Sequence, residues 1–545
     1  MDFDAIVIGS GFGGAITACR LSQSGQKVLI LERGREWDKD TYPRKPEDDW
    51  IWSHSSPEKF HGWLDFRSFK GMSVAQGAGV GGGSLIYANI SCVPPDTVLE
   101  TGWPAEITPD VLRPYYATVG AMLDVQEVPQ NQWTPRMKLM QEGAAKLGDA
   151  ARFEALPLAV TFDPNLNYSF DQEPDPAKST QFTNRFDKQQ GTCVHLGECD
   201  IGCRVYAKNT LDKNYIPLAV SKGAKVWPLH LVTDIAPVEG GYTVSYDDLN
   251  NGKRTPGSAT ATRVIVAAGS LGSTELLLRC RDVTKSLPKI SGFLGKHWSS
   301  NGDFLTPAFY LFRTLWPDRG PTIGSAINYL DGSDASQVYW IEDGGIPNVL
   351  NHYFEAILDR VKAGSDDGSL VSRLDPQSIL QHLTLFSANH DLFRSIMPWF
   401  AQGVDAGDGE LRLNNGELDL QWDLTRSAGL FNSIAAKHKA LAESTGGAPF
   451  PLPGWALSKS LITPHALGGC NMGASPDTGV VDHAGRVFGY DNLYVADGAI
   501  VPRPLGVNPS RTIGALAERI AAIIVNREPD VIPGSNAESL KEQRQ

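Results

Sequence analysis

The chain is short of basic residues. Lys and Arg number 49 against 62 Asp and Glu, a formal net charge of −13. Proteins that hold nucleic acid by its phosphates carry the opposite balance, so no nucleic-acid partner is expected. Long apolar runs are also missing: none reaches the roughly 18 residues that a membrane-spanning helix needs. The N-terminus lacks the basic start, apolar core and cleavage site of a secretory signal. Met1-Asp2-Phe3-Asp4 runs directly into the strand-like Ala5-Ile6-Val7-Ile8. This predicts a cytoplasmic protein, or a mature form whose leader has been removed. Cysteine is scarce and odd in number, 7 in 545 residues. Of Cys19, Cys92, Cys193, Cys199, Cys203, Cys280 and Cys470, only the middle three cluster, which excludes a disulfide framework. Apolar residues make up 41% and charged residues 20%, so wholesale disorder is excluded too. No internal repeat is present.

Glycine is plentiful, 55 of 545 residues, against a usual share of roughly 7%. Its placement begins the functional argument. Residues 5–34 read AIVIGSGFGGAITACRLSQSGQKVLILERG. The run Ala5–Ile8 suits a strand buried on both faces. Gly9, Gly11 and Gly14 follow in GxGxxG spacing. Ala15, Ala18, Cys19 and Leu21 recur at helical intervals, and Gly25 can end the helix. Val28–Leu31 is a second buried strand closing on Glu32. This is a complete βαβ unit of dinucleotide type. Gly9 permits the tight turn, Gly11 lets backbone approach a pyrophosphate, and Gly14 lets helix pack on strand. Glu32 is placed to accept from a ribose hydroxyl and disfavours the extra phosphate of NADP. The motif alone leaves FAD and NAD both open.

Four further segments narrow the choice. Residues 77–91 read GAGVGGGSLIYANIS, 263–273 RVIVAAGSLGS, 463–473 TPHALGGCNMG and 493–513 LYVADGAIVPRPLGVNPSRTI. With the N-terminal unit, these resemble the glucose–methanol–choline (GMC) flavoprotein oxidoreductases, closest to their bacterial cholesterol-oxidase-like branch. The resemblance spans residue 5 to about 525 in family order, with little signature across roughly 304–455.

That resemblance implies bound FAD and an α/β fold: a Rossmann-type FAD-binding domain with an interleaved α+β substrate domain, built on an antiparallel sheet with helices. Residues 1–41, 71–130, 191–303 and 458–530 are expected in the first, and 42–70, 131–190 and 304–457 in the second, with 531–545 a polar tail. Gly9, Gly11, Phe12, Gly13, Gly14, Glu32 and Arg33 would hold the ADP half of FAD. Gly79, Gly82, Gly83 and Ser84 would lie along the pyrophosphate and ribityl chain, with Tyr87, Ala88 and Asn89 following. Ala268 and Gly269 make a second backbone approach. Asp497 and Gly498 would contact the ribityl and phosphate region, Asn508 and Pro509 would also lie against the cofactor, and Val232 would contact the adenine.

The chemistry is expected at His465 and Asn508. Alcohol oxidation removes a proton from oxygen and a hydride from carbon, and in this family flavin N5 takes the hydride. A histidine can take the proton near neutral pH, and an amide can orient the alcohol oxygen. The resemblance implies that a His and an Asn (or a second His) meet near N5 in these roles. Asn508, followed by Pro509, is also a candidate helix N-cap. In WIEDGGIP, residues 340–347, Glu342 matches the place of a glutamate that moves a proton during double-bond isomerisation in cholesterol oxidases. A solvated acid before a Gly-Gly turn is the other reading. The segment HWSSNGD, residues 297–303, resembles the passage from nucleotide domain to substrate domain.

Cys193, Cys199 and Cys203 nearly match a ferredoxin spacing, but Leu196 stands where a further Cys is required. His195 is too close to Cys193 for a good chelating pair. Buried structural thiols are the favoured reading and no metal is expected; a metal site and a redox pair stay open. Asn415-Gly416, between alternating Glu410–Leu413 and Leu418–Trp422, signals a hairpin.

The expected activity is FAD-dependent oxidation of an alcohol CH–OH group to a carbonyl, on a sterol-like or other bulky apolar alcohol. Oxygen would take the electrons and give hydrogen peroxide. A dehydrogenase using another acceptor, a lyase with structural FAD, and a flavin-holding scaffold are the alternatives. A lipid substrate would bring the enzyme into transient contact with a membrane.

Overall fold

A computed structural model describes residues 1–350, 392–450 and 460–526. The polar tail, and residues 351–391 and 451–457 of the expected substrate domain, lie outside the described residues.

The N-terminal unit forms as its pattern predicts. Phe3–Ile8 and Val28–Leu31 are strands, and Phe12–Gln23 is the helix between them. Gly25 follows the helix in the left-handed region at φ 85°, where a side chain is disfavoured. Ile6, Val7, Leu29 and Ile30 have no exposure, and each such burial is worth about 1.5–3 kcal/mol. The strands lie parallel in the order Lys225–Trp227, Val28–Leu31, Phe3–Ile8, Thr255–Val266, Leu493–Val495. The N-terminal half of Thr255–Val266 instead pairs antiparallel with Gly241–Asp248, which pairs with His230–Val238. The last helix, Ser510–Val525, packs on the first. A buried Arg20–Glu518 pair joins them through bonds of 2.7 and 2.8 Å, and Tyr215 donates to the same carboxylate at 2.7 Å.

A second, antiparallel sheet has the order Ala448–Pro449, Phe304–Phe309, Ile396–Gly403, Gln337–Asp343, Ser325–Asp334, Phe153–Ala155. Helices Pro135–Lys146 and Ala428–Ser444 pack on it. A three-stranded sheet, Leu461–Thr463, Met72–Gly77 and Leu64–Phe69, leads towards His465. The predicted hairpin is present, with Asn415 and Gly416 at φ 52° and 82°, as a type I′ turn requires. Among the described residues, no helix is long and apolar enough to cross a membrane.

Candidate active site

Four glycine-bearing turns converge at the carboxyl ends of the parallel strands. A Cβ on Gly9 would stand 2.3 Å from the Ala267 carbonyl oxygen, and one on Gly13 1.8 Å from that of Ala496. One on Gly14 would stand 2.0 Å from the Gly9 oxygen, and one on Gly82 2.5 Å from the Gly11 Cα. The turns at residues 9–14, 79–84, 267–269 and 496–498 are therefore in backbone contact, and glycine permits it. Gly83 is different: a Cβ there would meet nothing within 4 Å. The cradle is open at that point.

Polar side chains set these turns. Glu32 is buried and accepts from Ser10 N–H at 3.0 Å, Ser10 Oγ at 2.6 Å and Gly34 N–H at 2.9 Å. Asp497 accepts from Gly269 N–H and Ala499 N–H, each at 2.8 Å, and from Ser273 Oγ at 2.5 Å. Ala268 N–H donates to the same Ser273 hydroxyl at 2.9 Å. The Asp497 carboxylate thus ties the turn at Gly269 to that at Gly498. Ser84 donates to the Gly81 carbonyl at 2.7 Å and accepts from Leu211 N–H at 3.1 Å. Arg33 lies on Asp65 at 2.7 Å and over the Trp52 ring. Tyr87 donates to the Asn209 carbonyl at 2.9 Å and packs edge-on against Phe12. Val232 is half-buried on a strand whose His230 N–H donates to the Glu32 carbonyl at 2.8 Å. Ala88 is half-buried and Asn89 fully buried at φ 70°.

His465 follows the strand Leu461–Thr463. Its Nδ1 lies 2.9 and 3.0 Å from the two carboxylate oxygens of Asp303. Thr463 Oγ1 is 2.5 Å from Asp303 Oδ2, and His465 N–H donates to Thr463 Oγ1 at 2.8 Å. Asp303 is buried; burial raises its pKa above the ordinary carboxylate value, and His465 pulls it back. The Phe400 ring stands 6.3 Å from the imidazole, centre to centre.

Glu342 is paired with Phe400 across the second sheet and has no exposure. The reading of it as a solvated acid is therefore corrected: the apolar strand carries it inward. Burial pushes its pKa well above the ordinary 4.5, and the charges of Asp303 and Asp343 add to the rise, while Asn508 beside it holds the rise back. Gln402 donates to Glu342 at 3.1 Å and accepts from Trp340 at 3.1 Å. The structure thus brings His465, Asp303, Glu342 and Asn508 into one chain of neighbours. Asn508 does not cap the last helix, which starts at Ser510 with Pro509 before it and no side-chain cap. Pro509 sends its carbonyl to Ile513 N–H at 2.9 Å.

The cysteine cluster has another character. All seven cysteines are free thiols. His195 is buried between aromatic rings, its Nε2 donates to Gln132 Oε1 at 3.0 Å, and its pKa is pushed down to about 4 by burial. Among the described residues, no group of three or more His, Cys, Asp and Glu is arranged to hold a metal.

Comparison with known proteins decides the family. The GMC oxidoreductase family matches residues 431–517, and an NAD(P)-binding Rossmann-like domain matches residues 7–37. The chain is 30% identical to a cholesterol oxidase of Acinetobacter baumannii, over 96% of this chain and 94% of that protein. It is 31% identical to a cholesterol oxidase of Mycobacterium tuberculosis, over 96% and 92%. The chain belongs to the GMC oxidoreductase family. Among solved structures, pyridoxine 4-oxidase shares the fold with a TM-score of 0.64 at 16% identity, over 96% of this chain and 99% of that one. This GMC oxidoreductase stands in the cholesterol-oxidase-like branch, uses FAD and oxidises alcohols.

The GMC site fits FAD on its own evidence. The first helix, Phe12–Gln23, is preceded by Gly11, which brings no side-chain cap, so its free N–H groups can face a pyrophosphate. Both amide atoms of Asn89, Oδ1 of Asn508 and Oε1 of Gln76 are buried without a hydrogen-bond partner. Such groups are rarely left unpaired in a finished site. Together with the open space at Gly83, they match a large polar cofactor in the cradle.

Asn301 and Asp303 lie in the segment HWSSNGD and Thr463 opens TPHALGGCNMG, but neither motif marks them as partners of His465 or Asn508, and Gln402 lies in no motif. Asp303 is 162 residues from His465; it is the acid ending HWSSNGD immediately before the apolar strand Phe304–Phe309, and nothing in that segment points to His465.

Proposed function

We propose that this enzyme oxidises the hydroxyl of a sterol or similarly bulky apolar alcohol and passes the electrons to oxygen, giving hydrogen peroxide. The observation that carries the reading is the set His465, half-buried, with the buried Asn508 and Glu342, on a chain similar to two cholesterol oxidases over nearly its whole length. Bound FAD supplies the two-electron acceptor. Gly9, Gly11, Phe12, Gly13, Gly14, Glu32, Arg33 and Val232 would hold its adenosine half and pyrophosphate. Gly79, Gly82, Gly83, Ser84, Tyr87, Ala88, Asn89, Ala268, Gly269, Asp497, Gly498 and Pro509 would line the rest.

The protein's own part is to bind, orient and move a proton. His465 accepts the hydroxyl proton on its imidazole. The Asn508 amide fixes the alcohol oxygen without changing charge. Glu342, whose buried carboxyl holds its proton more tightly than an exposed one, is a proton carrier beside them.

The test is an anaerobic flavin-reduction screen across sterols, fatty alcohols, aromatic alcohols and sugars, followed by admission of air. Bleaching by sterols, then rapid recolouring with peroxide release, is the expected result. Bleaching without recolouring in air would assign a dehydrogenase. Bleaching only by sugars or small aromatic alcohols would overturn the substrate class.

A further inference from the structure

Histidine has two ring nitrogens, and a base needs one of them free of its proton. In neutral imidazole, the partner of one nitrogen decides which of the two carries the proton. Here that partner is unambiguous. Both oxygens of Asp303 lie on Nδ1, at 2.9 and 3.0 Å, and an ionised carboxylate only accepts. Asp303 has no side-chain exposure, whereas the His465 side chain is 16% exposed. The carboxylate therefore grips the inner edge of the ring from inside the protein.

The grip is itself braced. Thr463 bonds the same carboxylate and receives the backbone N–H of His465, so Asp303, Thr463 and His465 form a closed loop of contacts. Ser299 and Ser300 both donate to Asp405, which anchors the segment that delivers Asp303. The titratable groups facing His465 are Asp303 and, behind it, Glu342; Phe400 covers the ring from the second sheet. Glu342 and Asp303 have the same sign when ionised, so the imidazole makes Asp303 the better place for the one negative charge.

We propose that Asp303 is a positioning residue for the alcohol oxidation: its buried carboxylate holds the Nδ1 proton of His465 and so keeps the Nε2 lone pair available to the reacting hydroxyl. When His465 takes the hydroxyl proton at Nε2, the imidazolium is paired at once with the Asp303 carboxylate. The proton count is closed: the hydroxyl loses one, Nε2 gains one, and Nδ1 keeps its own throughout. The same arrangement of carboxylate, imidazole and reacting hydroxyl serves hydrolases of unrelated fold. The inference rests on the reading of His465 as the base, but its first test needs no substrate.

FAD-loaded protein carrying 15N-histidine is examined by NMR, with His465→Gln assigning the resonance. The neutral ring is expected as the Nδ1–H tautomer, and an Nε2–H tautomer in the wild-type protein would overturn the proposal. Asp303→Asn is then compared at equal FAD content and equal unfolding temperature, with whichever alcohol bleaches the wild-type flavin. We expect kcat/KM to fall roughly 100-fold or more, the acid limb of its pH profile to move to lower pH, and Asp303→Glu to recover part of the loss. An Asp303→Asn enzyme with unchanged tautomer and unchanged acid limb would also overturn it. If that variant does not fold, the wild-type tautomer decides. A failure to oxidise sterols would strike the substrate assignment and leave the tautomer result standing.

Discussion

Asn301 holds the backbone that carries Asn508. Its Oδ1 accepts from Leu505 N–H at 2.8 Å and Gly506 N–H at 3.0 Å, and its Nδ2 donates to the Val507 carbonyl at 2.9 Å. Asn301 is fully buried and sits in the left-handed region at φ 57°, a conformation asparagine tolerates better than most residues. Two residues further on stands Asp303. One short crossing segment therefore braces the loops of both proposed reacting residues.

Replacing Asn301 should separate its contributions. Asn301→Ala leaves three buried backbone groups without partners, and a loss of about 2–4 kcal/mol is expected in denaturant unfolding of the FAD-loaded protein. Asn301→Asp keeps both accepted bonds and loses only the donation to Val507, so it should lie between the two. Equal stability of wild type and Asn301→Ala would show that the loop is held by other means.

Gly13 and Gly83 predict opposite outcomes for the same change. Gly13→Ala places a Cβ 1.8 Å from the Ala496 oxygen, so the fold itself should suffer. Gly83→Ala meets no protein atom within 4 Å, so the chain should fold normally yet bind FAD poorly. Unfolding curves and the ratio of flavin to protein absorbance report each. Full flavin content in Gly83→Ala would place the cofactor away from that turn.

Glu342 makes stability depend on pH in a definite direction. Its folded pKa is raised above the ordinary 4.5, so the folded state holds its proton where the unfolded state has lost it. Stability then falls as pH rises from about 4.5 towards the folded value. Glu342→Gln removes that dependence. The unfolding temperature of the variant relative to wild type should climb as pH rises from 4.5. A difference that stays constant with pH would contradict a buried, protonated Glu342.

The thiols give a simple chemical count. In denaturant all seven cysteines should react with a thiol reagent. In the native protein Cys19, Cys92, Cys193, Cys280 and Cys470 are buried and should stay silent. Fewer than seven reactive thiols in denaturant would reveal a disulfide.

Much of the cofactor side was legible because its determinants are local. The turn at Gly9, the helix ending before Gly25 and the strand at Val28 are each written in a few consecutive residues. His465 and Asn508 stand in similarly short motifs. The partners that hold them were not legible. Asp303 reaches His465 across 162 residues, and Asn301 reaches Val507 across 206. No periodicity records such a meeting; it follows from the way the three-stranded sheet and the crossing segment are stacked. Glu342 shows the same limit from the other side. Its neighbours Asp343, Gly344 and Gly345 suggest an exposed turn, yet strand pairing with Phe400 places it in the core.

The central claim is that His465 takes the alcohol proton while Asn508 fixes the alcohol oxygen. Its most direct measurement is the rate of anaerobic flavin bleaching by a sterol in wild type, His465→Gln and Asn508→Ala, each at full FAD content. The account predicts fast bleaching in wild type and a loss of roughly 100-fold or more in His465→Gln, with Asn508→Ala also slowed. Unchanged bleaching rates in both variants would contradict it.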